Sequence, residues 1–148
     1  MSRPTIAITM GDASGIGPEV IMKALSKPEV QEMCNPLVIG DAGRLRTAGE
    51  IVGSTMRVDS LDDPAQASFA PDAVECIDLK LIPPDHPFGQ VSAISGEGSF
   101  RYIERAVRIV EAGQADAICT GPLSKEALHA AGHKYPGHTE LLAMLTGT

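Results

Sequence analysis

The stretch TIAITMGDASGIGPEVIMKAL, residues 5–25, constrains the fold more than any other: a short apolar run, a loop holding Gly11, Gly15 and Gly17, then apolar positions at helical spacing. Residues 5–10 read as a strand and 11–17 as a loop. Pro18 and Glu19 open a helix, because proline fits a first turn where its missing N–H is not needed and a carboxylate suits the positive end of the helix. Val20, Ile21, Ala24 and Leu25 form its predicted buried face. Residues 36–40 (PLVIG) give a second strand, and 42–52 a second helix that turns Leu45, Ala48, Ile51 and Val52 inward. Strands alternating with helices in this way predict an α/β fold, an open and mostly parallel sheet with flanking helices and right-handed crossovers.

Further strands are expected at 56–58 and 74–82, separated by a polar stretch rich in Asp, Pro and Ala that wraps the surface. Residues 83–95, PPDHPFGQVSAIS, have no period and carry three prolines, which predicts an extended arm, and an arm of this length tends to have a role. The helix over 95–112 places Phe100, Ile103, Ala106, Val107 and Val110 on one face and pairs Glu104 with Arg108 on another. Gly113 stops it. Asp116-Ala117-Ile118-Cys119 then reads as a short buried strand, which Gly121-Pro122 cannot continue.

Two Tyr, three Phe and no Trp leave an aliphatic core, as a buried parallel sheet requires. A net charge of −7 without a basic stripe argues against a nucleic-acid partner, so an anionic ligand would need locally gathered positive charge. No signal peptide is evident, and no apolar run approaches the ~20 residues of a membrane span. Cys34, Cys76 and Cys119 are odd in number and widely spaced, which predicts reduced thiols in a cytoplasmic protein and excludes a paired CxxC zinc site.

The densest chemistry lies in TGPLSKEALHAAGHKYPGHTE, residues 120–140. It follows the carboxyl end of a predicted strand, where parallel α/β sheets bind ligands. A helix with Leu123, Ala127, Leu128 and Ala131 in phase carries Ser124 and Lys125 near its start and stops at Gly132. A turn at Pro136-Gly137 then presents His138 and Thr139, and Thr139 is a plausible N-cap for a last helix with Leu141, Leu142 and Leu145. Free helix amides, a hydroxyl and an imidazole suit an anion. Taken alone, His138 and Thr139 read as a turn histidine and a helix cap. Lys125 could meet a carboxylate or phosphate, or be a solvated lysine. Asp12 could line a cleft or cap the glycine turn. His129 and His133 are four apart, but Gly132 ends the helix between them, so both are read as structural, and His86 as a surface loop residue. GDASGIG is not the GxGxxG dinucleotide fingerprint.

KEALHAAGHKYPGHTELLAMLTGT strongly resembles the 4-hydroxythreonine-4-phosphate dehydrogenase family, particularly its 4-phospho-D-threonate branch. Residues 5–25 resemble the family's opening strand, glycine loop and helix, with Ala13-Ser14 where members usually read Pro-Ala, and more distantly the GDGIGPE opening of the isocitrate and isopropylmalate dehydrogenases, whose fold the family shares. The resemblance implies that residues 1–120 are the first α/β domain of a two-domain enzyme and that 121–148 carry the site motif and cross towards a second domain outside this chain. It implies that His138 and Thr139 bind substrate, with Lys125 a further candidate, and assigns no catalytic residue here. It implies oxidation and decarboxylation of a four-carbon phosphorylated hydroxy acid, 4-phospho-D-threonate or 4-phosphohydroxy-L-threonine, in carbohydrate metabolism or pyridoxine biosynthesis. The cofactors implied are NAD and a divalent metal ion (Zn, Mg, Mn or Co), with ligands beyond this chain and no metal ligand within it, and the assembly implied is a homodimer. The alternatives are a non-catalytic phosphate-binding α/β module and a phosphate acyltransferase-like enzyme, the latter leaving GHTE unexplained.

Overall fold

The computed structural model describes residues 3–135 and 137–147. In chain order they form β1 (Thr5–Thr9), α1 (Gly17–Leu25), α2 (Pro28–Met33), β2 (Asn35–Gly40), α3 (Ala42–Val52), β3 (Arg57–Leu61), β4 (Ala73–Asp78), α4 (Ala93–Glu111), β5 (Ala117–Thr120), α5 (Lys125–Ala130) and α6 (His138–Thr146), with a 3₁₀ turn at Pro64–Gln66. The strands make one sheet in the order β3-β4-β2-β1-β5, every pair parallel. From β1 the chain winds to one side through β2, β3 and β4, then crosses back through α4 to β5. Right-handed crossovers in opposite directions place their helices on opposite faces: α1 packs with α3, while α4 lies across β1, β2 and β5 and carries α5 and α6.

The core is aliphatic, as the scarcity of aromatics requires. Met10, Met22, Leu37, Ile39, Leu45 and Ile77 are buried in the main cluster, joined by one aromatic, Tyr102. A second cluster of Phe100, Ile103, Val107, Leu128 and Leu141 seats α5 and α6 on α4.

Several expected boundaries shift for local reasons. β4 stops at Asp78 instead of running to residue 82, because Lys80 sits at φ 56°, outside any strand conformation. β3 begins at Arg57, a residue later than expected. α4 starts earlier, at Ala93, because the Ser92 side chain accepts from the Ile94 and Ser95 amides. Its ion pairs join Arg101 to Glu97 and Glu104, and Arg108 to Glu111, not Glu104 to Arg108. α2 buries none of its residues and so leaves no apolar period to read.

The greatest departure is β5. It is an edge strand among the described residues, with Ala117 and Cys119 exposed, and not the buried strand expected. A groove of about 300 Å³, lined by Ile6, Ile8, Val20, Ala24, Cys119 and Pro122, runs beside it. Val20, expected to be buried, is therefore 45% exposed. No helix of the described residues is long and apolar enough to cross a membrane.

Candidate functional site at the β1–β5 crevice

The winding of the sheet reverses between β1 and β5, and in open α/β sheets the ligand crevice lies outside the carboxyl ends of the strands at such a point. The loops leaving β1 and β5 are joined there. Asp12 donates its amide to the Pro122 carbonyl at 2.8 Å, and Gly121 donates to the Thr9 carbonyl at 2.9 Å. Glycine is required on both sides. Gly11 adopts φ 77° and a Cβ there would collide with the Pro122 carbonyl, while a Cβ on Gly121 would lie 2.5 Å from the Thr9 carbonyl oxygen. Gly17 meets Met10 in the same way, which draws the start of α1 onto the end of β1.

His138 is carried to this crevice as the first residue of α6. Its Nε2 is buried and has no hydrogen-bond partner among the described residues. Burial pushes its imidazole pKa down, and a hydrogen bond with the Gly121 backbone offsets this in part. The ring is thus neutral near pH 7, able to donate from one nitrogen and accept at the other. Thr139 is exposed and is not the N-cap of α6, because Gly137 takes that position and leaves the helix start without a side-chain cap. Pro136, the other half of the expected turn, lies outside the described residues.

Lys125 is exposed at the start of α5, which Ser124 caps by accepting from the Ala127 amide. Its Cε is 3.8 Å from where a Cβ on Gly137 would stand, so the ammonium group lies by the start of α6. His138, Thr139 and Lys125 therefore come together around a helix N-terminus whose free amides suit an anion. Asp12 performs the turn-capping role: its carboxylate accepts from the Ser14 amide at 3.0 Å. Among the described residues, no three His, Cys, Asp or Glu side chains gather as a metal site, and we assign no metal or cofactor contact here.

Two of the other histidines are placed as read. His129 is exposed at the end of α5, with Nε2 3.2 Å from the Tyr135 carbonyl oxygen, and His133, between α5 and α6, joins Glu97 of α4 at 2.6 Å. His86 is different. It is 9% exposed and not a surface residue, and its Nε2 lies 3.0 Å from Ser14 Oγ and 2.8 Å from Ser95 Oγ, which are themselves 2.7 Å apart. Beside it, buried Arg44 donates to the carbonyls of Ala13, His86 and Pro87 and stacks 3.5 Å from the centre of the Phe88 ring. The sequence signal for this cluster is faint: a histidine inside a proline-rich arm and a serine within a glycine loop.

Comparison with known proteins places this geometry among related folds. The profile of the family of the pyridoxal phosphate biosynthetic protein PdxA matches residues 32–148. A D-threonate 4-phosphate dehydrogenase of Cupriavidus necator is 57% identical over 145 residues, covering 98% of this chain and 44% of that protein. A 4-hydroxythreonine-4-phosphate dehydrogenase of Trichlorobacter lovleyi is 45% identical, covering 97% of this chain and 43% of that protein. The crystal structure of a 4-hydroxythreonine-4-phosphate dehydrogenase from Burkholderia phymatum superposes with a TM-score of 0.98 at 55% identity, over 100% of this chain and 45% of that one. The chain thus spans less than half the length of these relatives.

Proposed function

The chain belongs to the PdxA family, and from that premise we propose that it forms the substrate-anchoring part of a dehydrogenase acting on a four-carbon phosphorylated hydroxy acid, 4-phospho-D-threonate or 4-phosphohydroxy-L-threonine. One observation carries this reading: the buried, unpartnered Nε2 of His138 at the β1–β5 crevice. A buried polar atom without a partner is costly, and a substrate oxygen would supply the missing hydrogen bond.

The role of each group follows from its place. The free amides that open α6 and the Lys125 ammonium hold an anionic end of the substrate. Neutral His138 bonds a substrate oxygen and orients it, and Thr139 adds a hydroxyl at the same rim. The glycine loops, joined through Asp12, Pro122, Gly121 and Thr9, hold the ends of β1 and β5 together at the crevice. In this proposal NAD and a divalent ion would be held by parts of a longer homodimeric polypeptide and would supply hydride acceptance and Lewis acidity for oxidation and decarboxylation. The described residues lack a donor set for the ion, so no step is drawn through it. Three free thiols suit a reducing compartment such as the cytoplasm.

The name of the Cupriavidus necator relative favours the threonate. A polypeptide of the relatives' length that carries this sequence should form NADH with 4-phospho-D-threonate and a divalent metal, at higher kcat/KM than with 4-phosphohydroxy-L-threonine. Absence of NADH with both would overturn the dehydrogenase reading. A strong preference for the amino compound would overturn the choice of threonate.

A further inference from the structure

The arm after β4, residues 79–92, is anchored where the chemistry of the crevice begins. Gly89 donates its amide to the Ser14 carbonyl at 2.7 Å, and Arg44 takes the carbonyls of Ala13, His86 and Pro87 together, so arm and glycine loop share one clamp. The Ser14 hydroxyl sits at its centre. With His86 of the arm and Ser95 of α4 it closes a buried triangle of hydrogen bonds, Ser14 being 3% and Ser95 0% exposed.

From Ser14 a continuous path leads to the crevice. The Ser14 amide donates to the Asp12 carboxylate, the Asp12 amide donates to the Pro122 carbonyl, and the adjacent Gly121 backbone bonds His138. We propose that Ser14 is a positioning residue: its hydroxyl, locked by His86 and Ser95, ties the arm to the glycine loop and thereby sets the β1 and β5 loops and the backbone that orients His138. This rests on the reading that the crevice takes the phosphorylated substrate. Ser14 touches no reacting atom in this account. It acts through Asp12 and Pro122.

Ser14→Ala isolates the hydroxyl without adding volume and keeps the backbone bonds of residue 14, its amide to the Asp12 carboxylate and its carbonyl from the Gly89 amide. Amide hydrogen exchange of the 148-residue chain should show peptides spanning 83–92 and 11–17 opening about tenfold faster, the scale of one or two lost buried hydrogen bonds, with β2 and β4 unchanged. In the longer polypeptide, kcat/KM should fall roughly tenfold, mainly through KM, and Ser14→Thr, which keeps the hydroxyl, should recover part of it. Unchanged exchange in the arm would overturn the claim that the Ser14 hydroxyl ties the arm to the glycine loop. Faster exchange with unchanged kinetic constants would overturn the positioning role. If the parent protein turns over neither phosphorylated substrate, the functional reading fails and the positioning role falls with it, while the exchange pattern still decides whether the Ser14 hydroxyl ties the arm to the loop.

Discussion

His133 lies flat on Phe100, ring centroids 3.8 Å apart and planes within 3°, while its Nε2 meets the Glu97 carboxylate at 2.6 Å. Both partners belong to α4, so one side chain pins the connection between α5 and α6 to the longest helix of the fold. Burial pushes the Glu97 carboxyl up, but the His133 hydrogen bond and the Arg101 charge outweigh it and hold the group below the usual range.

His133→Ala removes a stacked ring and a charge-assisted bond at a half-buried site and should lower stability by roughly 1–2 kcal/mol. Because the same connection leads to His138, the variant should also raise KM. Denaturant unfolding and steady-state kinetics check the two effects. A stability loss with KM unchanged would mean that α6 keeps its seat through Leu141 and its neighbours alone.

His138→Ala should lower kcat/KM by about 10- to 1000-fold, roughly 1.4–4 kcal/mol of transition-state stabilisation, and lower stability only by the roughly 0.5–1.5 kcal/mol of one hydrogen bond, that with the Gly121 backbone, because Nε2 has no partner among the described residues. His129→Ala, at the exposed end of α5, should leave kinetics nearly unchanged. Burial lowers the His138 pKa from the ordinary 6.5, so the neutral ring persists below pH 6.5 and the acid limb of kcat/KM should fall under that value. An acid limb above pH 6.5 that vanishes in His138→Gln would contradict this.

The residues of the crevice were legible in the sequence because they are contiguous: the Gly-Pro turn after β5, Lys125 by a helix start, and the His-Thr pair all lie within residues 120–140. The alternation of strands and helices likewise implied the parallel sheet, and the single crossover through α4 that sets the crevice follows from strand order, which sequence alone does not print. What could not be read was long-range. Ser14, His86 and Ser95 are separated by 72 and 9 positions, and nothing in the local pattern distinguishes a proline-flanked histidine folded inward from one left in water. The exposure of Ala117, Cys119 and Val20 was hidden for the converse reason: apolar composition predicts burial, but Ala117 and Cys119 lie on the edge strand β5 and Val20 of α1 lines the open groove beside it.

Gly121→Ala tests the junction of the two crevice loops. The added Cβ would lie 2.5 Å from the Thr9 carbonyl oxygen and 2.9 Å from that of Met10, both backbone atoms that cannot rotate away, so the loops must part at a cost of roughly 1–3 kcal/mol or more. Gly53→Ala is the control. Its Cβ meets nothing within 4 Å, and only its φ of 71° is strained, for about 1–2 kcal/mol. Both should be less stable in urea, but only Gly121→Ala should also lose kcat/KM. Equal kinetics in the two variants would place the substrate away from the β1–β5 junction.

The His86 triangle makes stability depend on pH in a definite direction. Burial lowers the His86 pKa from the ordinary 6.5, and the Arg44 charge lowers it further, while Asp12 of the glycine loop and Asp85 of the arm pull the other way and α4 contributes only the neutral Ser95 hydroxyl. The folded value is below the unfolded one, so the folded chain binds its proton later than the unfolded chain as pH falls. The stabilising contribution is therefore fully present above pH 6.5 and is lost as pH drops through the folded value. Protonation would also fix Nε2 as a donor, so that neither hydroxyl could donate to it. Urea titrations between pH 8 and pH 5 should thus show stability declining with falling pH in the parent chain and a shallower decline in His86→Asn, the difference separating His86 from His138, whose own lowered pKa acts in the same sense. Parallel declines in the two proteins would show that His86 is not the group that titrates.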